Sequence, residues 1–171
     1  MVMLQKHQSR KTEALPQRRV PALLHVRLPL PPSINKQYAT TSDGHRVSTE
    51  VARRFKRQVK NALRALERQG GLQEELLQRF RQDYLALSLE FYFETPLKRD
   101  LDGGLKITQD ALCEWLGAND NRVVDIHLTK RIDPLHPHLD VELEALENWQ
   151  FDQEYILLPQ RGNKEMAHHF L

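Results

Sequence analysis

Carboxylates and one amine crowd the middle of this chain in a pattern that could do chemistry. They lie in Lys98-Arg99-Asp100-Leu101-Asp102-Gly103-Gly104-Leu105-Lys106, which continues to Asp110 and, after a break, Asn119-Asp120. The residue types suit phosphodiester hydrolysis. A hard divalent cation takes oxygen ligands, and clustered carboxylates supply them. Such a cation polarises a phosphate and helps generate hydroxide from water. A nearby lysine sets a positive charge against the developing phosphorane. A plainer reading stands beside this one: Asp102 only caps a helix, and Lys106 only pairs with Asp102 or Asp110.

The elements that must position these groups are a strand and a helix. Tyr84 to Phe93 alternates Leu85, Leu87, Leu89 and Phe91 with polar or small neighbours, which predicts a strand. A helix is predicted from about Asp102 to Leu116, with an apolar stripe of Leu101, Leu105, Thr108, Leu112 and Trp115. Asp102 is the expected N-cap. Asp100 and Asp102, two apart on an extended segment, are expected to point the same way. Lys106 follows one turn up the helix. Gly117 ends the helix, and Arg122 to Ile132 gives the next strand, with Val124, Ile126 and Leu128 on one face. A helix of this length runs about 21 Å, while Gly117 to Asp120 returns at most ~14 Å. Asp120 therefore reaches Asp100 only if the helix stops early or is favourably oriented; otherwise it serves a twofold partner's site.

Upstream, Leu23 to Leu30 reads as a strand with Leu24, Val26 and Leu28 on one face, ended by Pro29, Pro31 and Pro32. A rigid loop, Pro31 to Tyr38, leads into a hairpin over Tyr38 to Ser48, with Asp43-Gly44 as a two-residue turn whose central positions both need positive φ. Thr49 to Gln69 is a strong helix capped by Ser48 or Thr49, its buried stripe Val51, Phe55, Val59, Ala62, Leu63 and Leu66. A second stripe, Arg53, Arg57, Lys60, Arg64 and Arg68, is either a solvated face or a track for phosphates. Leu72 to Arg81 is open between a short helix and an irregular connection. After a turn at Pro134 to Pro137, His138 to Leu146 gives a last strand with Leu139, Val141 and Leu143 inward. Its outward row, His138, Asp140, Glu142 and Glu144, is explained by alternation on a half-exposed strand, without a metal.

The fold class that follows is α+β: one domain, a mixed sheet of about four strands with a hairpin, packed by two main helices. The organisation is a basic arm (1–20), a core domain (21–147) and a C-terminal extension (148–171) in which Tyr155 to Leu158 could dock on the core or on a partner. His168 and His169 carry little weight. Charges nearly balance, with 25 Lys and Arg against 23 Asp and Glu. The single cysteine, Cys113, excludes an internal disulfide. It fits a reducing compartment and a packed rather than reactive thiol. No apolar run approaches the ~20 residues of a membrane span, and the basic N-terminus lacks an apolar signal region, so a cytoplasmic location is expected.

Three separated blocks resemble the RusA-like Holliday junction resolvases. They are Leu30-Pro31-Pro32-Ser33-Ile34-Asn35 with Tyr38; Arg99-Asp100-Leu101-Asp102 with Lys106 and Asp110-Ala111-Leu112; and Asp120-Asn121-Arg122-Val123-Val124 with Lys130 and Arg131 downstream. The resemblance covers roughly Ala22 to Leu146. It implies acidic metal-binding positions at Asp100, Asp102 and Asp120 and an essential lysine at Lys106. It further implies Mg²⁺, with Mn²⁺ as a substitute, no organic cofactor and no membrane. The implied activity is paired symmetric nicking of four-way junction DNA by a homodimer, leaving 5′-phosphate ends, near the nucleoid during recombination and repair. The DNA-contacting residues expected are Asn35, Lys36, Arg46, Arg53, Arg57, Lys60, Arg64 and Arg99. Two departures stand out: Gly103 replaces the family's usual Asn, and Asn119 replaces the first acid of the third block. They motivate the alternative of a catalytically weakened branched-DNA binding protein of the same fold. A structural protein whose charges only pair with each other is the third reading.

Overall fold

The structure, a computed structural model, describes residues 22–97 and 99–151. A four-stranded sheet forms its centre, built from β1 (Ala22–Leu28), β4 (Tyr84–Phe93), β5 (Val123–Ile132) and β6 (His138–Leu146) in the order β1-β6-β4-β5. The pairs β1/β6 and β6/β4 are antiparallel, and β4/β5 is parallel. Strands β2 (Tyr38–Thr40) and β3 (Arg46–Ser48) form a separate hairpin. Three helices complete the fold: α1 (Glu50–Arg68), α2 (Glu74–Gln82) and α3 (Leu105–Leu116). The mixed α+β class and the four-strand sheet agree with the sequence reading. Leu72 to Arg81 resolves as helix over most of its length.

Alternation explains the sheet. Leu24, Val26 and Leu28 on β1, Leu139, Val141 and Leu143 on β6, and Leu85, Leu87, Leu89 and Phe91 on β4 all point into one core. Phe55, Val59 and Leu63 of α1 and Phe80 of α2 close over that face, each fully or almost fully buried. At about 25 cal/mol per Å² of apolar area removed from water, this contiguous cluster supplies the main stabilising term. The opposite face carries Arg27, which holds Asp140 through two bonds of 2.8 and 2.9 Å, and Glu90, which accepts from Arg131 and the Tyr92 hydroxyl. On the outward row of β6, Asp140 thus pairs across to Arg27 and Glu142 to His25.

Several local expectations change. Val51 is exposed and Ala52 takes its place in the buried stripe of α1. The first inward residue lies one position later because Thr49, whose hydroxyl accepts from the Ala52 amide, sets the helix phase. The hairpin turn is longer than Asp43-Gly44 alone. Thr41 and Gly44 close a turn, the Thr41 amide bonds the His45 carbonyl, and only Gly44 takes positive φ, at 84°. On β5, Ile126 remains 40% exposed because this strand is the sheet edge. Cys113 is buried, and that burial pushes its thiol up to about 11, so packing is its role. Among the described residues, no helix is long and apolar enough to cross a membrane. The arm at 1–20, Tyr155 to Leu158, His168 and His169 lie outside the described residues. The start of the extension is described, where Trp149 and Phe151 pack against Tyr84 with ring centroids 4.8 and 5.3 Å away.

Candidate active site

The helix of the organising stretch starts later than its sequence suggests. Leu101–Gly104 forms a tight 3-10 turn and α3 begins at Leu105. Gly104, not Asp102, is the residue before the helix, and neither Asp100 nor Asp102 makes a side-chain cap. The two glycines delay regular helix. Asp100 is extended while Asp102 sits within the turn, so the extended Asp-x-Asp segment is not what forms. Both carboxylates are exposed and have no hydrogen-bond or ion-pair partner among the described residues.

Gly104 is where glycine is required. A Cβ there would meet Pro31 Cγ at 2.3 Å and Phe91 Cε1 at 3.0 Å. Close approach of Gly104 to Pro31 seats the proline loop on the turn. Three further bonds fix that seat. The buried Gln37 amide donates to the Pro32 carbonyl and to the Gly103 carbonyl, each at 2.9 Å. Arg99 Nη1 donates to the Pro31 carbonyl at 2.8 Å. Lys130, on β5, donates to the carbonyls of Pro96 and Arg99, both at 2.9 Å. Between loop and turn lies a cleft of about 200 Å³, lined by Ser33, Asn35, Phe93, Arg99, Asp100 and Gly103 among others. The first two sequence blocks therefore meet across one cleft.

The third block meets the helix. The Lys106 ammonium lies 2.7 Å from Asp120 Oδ2 and 2.7 Å from Asp110 Oδ1. Gln109 donates to the Asp120 carbonyl at 3.0 Å, holding the turn against α3. Asn119 accepts from the Asn121 amide at 3.2 Å, shaping that turn from within. Asp120 thus returns to the first turn of α3 within its own chain. The hydrogen bonds that Lys106 donates to Asp110 and to Asp120 raise its ammonium above the ordinary lysine value. Lys106 in turn holds the Asp120 carboxyl below the usual carboxylate range. A lysine with a lowered pKa, ready to take a proton from water, is therefore not what these contacts produce: Lys106 is a fixed cation.

The donor chemistry at Asp100 and Asp102 fits a hard divalent cation, because Mg²⁺ is commonly held by one or two carboxylates plus substrate phosphate. Among the described residues, no group of three or more His, Cys, Asp or Glu is placed to hold a metal ion. Asp120 is engaged with Lys106 instead of completing a three-acid set.

The expected DNA contacts divide. Lys60 and Arg64 are exposed, with no side-chain partner among the described residues. Asn35 is exposed on the cleft rim. Lys36 is exposed beside it, and Arg46 lies 4.0 Å over the Tyr38 ring. Arg53 and Arg57 both bond Glu50. Arg99 is half-buried and turned toward Pro31, which gives it a scaffold role in this geometry. Sequence reasoning passed over Gln37 and Gln109. Gln37 lies between Asn35 and Tyr38 of the first block, and a glutamine in a loop gives no sign of becoming buried.

Asp100 lines the cleft without a partner, and on the neighbouring helix Lys106 is fixed by two more acids. A comparison with protein families matches residues 29–144, well over half of the chain, to the family described as Endodeoxyribonuclease RusA. The chain belongs to the RusA endodeoxyribonuclease family. No curated protein gives a match.

Proposed function

We propose that this protein is a metal-dependent, structure-selective endodeoxyribonuclease that resolves four-way DNA junctions by paired nicks. The observation that carries the reading is the pair of exposed, unpartnered carboxylates, Asp100 and Asp102, on a turn clamped across the cleft from the proline loop. Asp100 and Asp102 would hold Mg²⁺, or Mn²⁺ in its place. When bound, the cation supplies an activated water and neutralises the leaving 3′-oxygen. Lys106 keeps its charge and offers it to the scissile phosphate. Asp120 and Asp110 set where that charge sits. Asp120 would enter the metal's ligand set through the carboxylate oxygen that does not accept from Lys106. Exposed cations on α1, together with Asn35 at the cleft rim, Lys36 beside it and Arg46 on the hairpin, would hold DNA mainly through phosphates. A homodimer supplies two sites for two nicks, and the cytoplasm is its expected location.

The test is a labelled synthetic four-way junction beside matched linear duplex, with Mg²⁺, Mn²⁺ or EDTA. Metal-dependent paired nicks on the junction alone are expected. One observation favours a second reading, a branched-DNA binding protein that no longer cuts: the described residues assemble no three-acid group. Tight junction binding without nicks in either metal would establish it.

A further inference from the structure

A second cavity opens between α1 and α3, away from the carboxylate turn. It has a volume of about 360 Å³ and is lined by Lys56, Arg57, Lys60, Ala111, Glu114 and Trp115. That volume lies within the ~300–1,000 Å³ range of small-ligand sites. One wall is cationic and the other presents the half-buried indole of Trp115, with Ala111 between them. Lys60 is exposed and has no partner among the described residues. Lys56 is tied to Glu114 at 3.0 Å, but both side chains are well exposed, at 40% and 72%, so a phosphate can open that pair.

The groove is a surface of its own: Trp115 follows Lys106 by nine residues, and at about 100° per residue it projects from the opposite side of α3. Aromatic faces bind unpaired bases, and flanking cations track the backbone.

We propose that this groove binds an unpaired stretch of junction DNA, with one base stacked on Trp115 and its phosphates against Lys60 and Lys56. This deepens the proposed function and rests on it. A four-way junction can offer such a strand at its crossover, whereas intact duplex keeps its bases stacked inside. Trp115 and Lys56 become substrate contacts, and Glu114 becomes an acid that competes with phosphate.

The experiment uses the full-length protein and two probes, a fluorescent ten-residue oligothymidylate and a four-way junction. Trp115→Leu and Lys60→Glu are each expected to weaken oligothymidylate binding about tenfold, while Trp115→Phe stays within about threefold of wild type because it keeps a stacking face. Glu114→Gln should strengthen binding severalfold, a sign that lost packing alone would not produce. As a readout that needs no variant, junctions carrying 5-iododeoxyuridine at successive positions around the crossover are irradiated and the adduct is mapped. Crosslinking to Trp115 supports the proposal. Adducts only elsewhere, or unchanged oligothymidylate affinity in Trp115→Leu and Lys60→Glu, overturn it. A change in oligomeric state in those variants without loss of DNA affinity assigns the groove to a second copy of the chain and also overturns it. Wild-type protein that cuts junctions while the groove variants bind normally separates this failure from failure of the nuclease reading itself.

Discussion

The Lys106 ammonium donates to the Asp120 carboxylate at 2.7 Å across a separation of fourteen residues. This bond decides the chemistry available to the lysine. Asp120 is held below the ordinary carboxylate range, so the pair is intact above that range and is lost only as pH falls through the lowered value. Lys106 is raised, so its contribution is complete below the ordinary lysine value and is lost only as pH climbs through the raised one. The pair therefore persists across the neutral range. Lys106→Met should lower junction cleavage by about 10²–10³-fold with little change in junction affinity. Lys106→Arg, charged at every pH, should show the same alkaline profile as wild type. An alkaline limb present in wild type and absent in Lys106→Arg would show that Lys106 titrates, and would overturn this role.

Adjacent glycines should behave oppositely. Gly104→Ala puts a methyl group 2.3 Å from Pro31 Cγ, so proline loop and turn must separate. Overpacking of this kind costs about 1–3 kcal/mol, and cleavage should fall with stability. At Gly103 a Cβ meets nothing within 4 Å, and the backbone has no positive φ. Gly103→Ala should stabilise by about 0.4–1 kcal/mol through the unfolded chain, and Gly103→Asn should fold as well as wild type. Thermal melts of the three variants decide the matter, and equal melting temperatures for Gly103→Ala and Gly104→Ala would contradict the geometry.

The sheet was readable because burial on one face leaves a period-two record: β4 and β6 fall on the expected spans, Tyr84–Phe93 and His138–Leu146. Helix α1 was readable from its cap and stripe, though its phase slipped at Val51. The turn at Leu101–Gly104 was harder to read. Asp102 looks like an N-cap by type, yet the two glycines and the seat on Pro31 move the helix start to Leu105, and no local signal reports a contact seventy residues away. The site split in the same way. Residue types made candidates of Asp100, Asp102, Lys106 and Asp120, and Lys130 stood out as a basic residue after the third block, while the roles of Gln37 and Gln109 became visible only through tertiary contacts. The distance argument concerned Asp120 and Asp100; the contact that forms is instead between Asp120 and Lys106, whose side chain spans the gap to the first turn of α3.

Gln37 should carry more than its position in a loop suggests. Its amide is buried and serves two carbonyls, one on each wall of the cleft. Gln37→Leu keeps approximate volume but leaves both acceptors without that donor, and an unsatisfied buried acceptor costs about 1–3 kcal/mol. The melting temperature should fall, and junction cleavage should fall further than junction binding, because the turn that presents Asp100 and Asp102 loses its anchor. Cleavage that declines only in proportion to folded protein would reduce Gln37 to a packing residue.

Removing a carboxylate from the turn should separate chemistry from stability. Asp102 is exposed and has no side-chain partner among the described residues, so Asp102→Asn is expected to change stability by no more than about 0.5 kcal/mol. Its effect should fall on metal use. If Asp100 and Asp102 hold the cation, removing one anionic ligand raises the Mg²⁺ concentration needed for half-maximal cleavage and lowers the maximal rate, while junction binding in EDTA is unchanged. Asp100→Asn should do the same, and the double variant should not cut at any Mg²⁺ concentration. Asp120→Asn is the contrasting case. Its carboxylate faces Lys106, so its loss should lower the rate with a smaller shift in the Mg²⁺ midpoint. A midpoint shift in Asp120→Asn equal to that in Asp102→Asn would place Asp120 among the metal ligands in the working complex, bound through the oxygen that does not accept from Lys106.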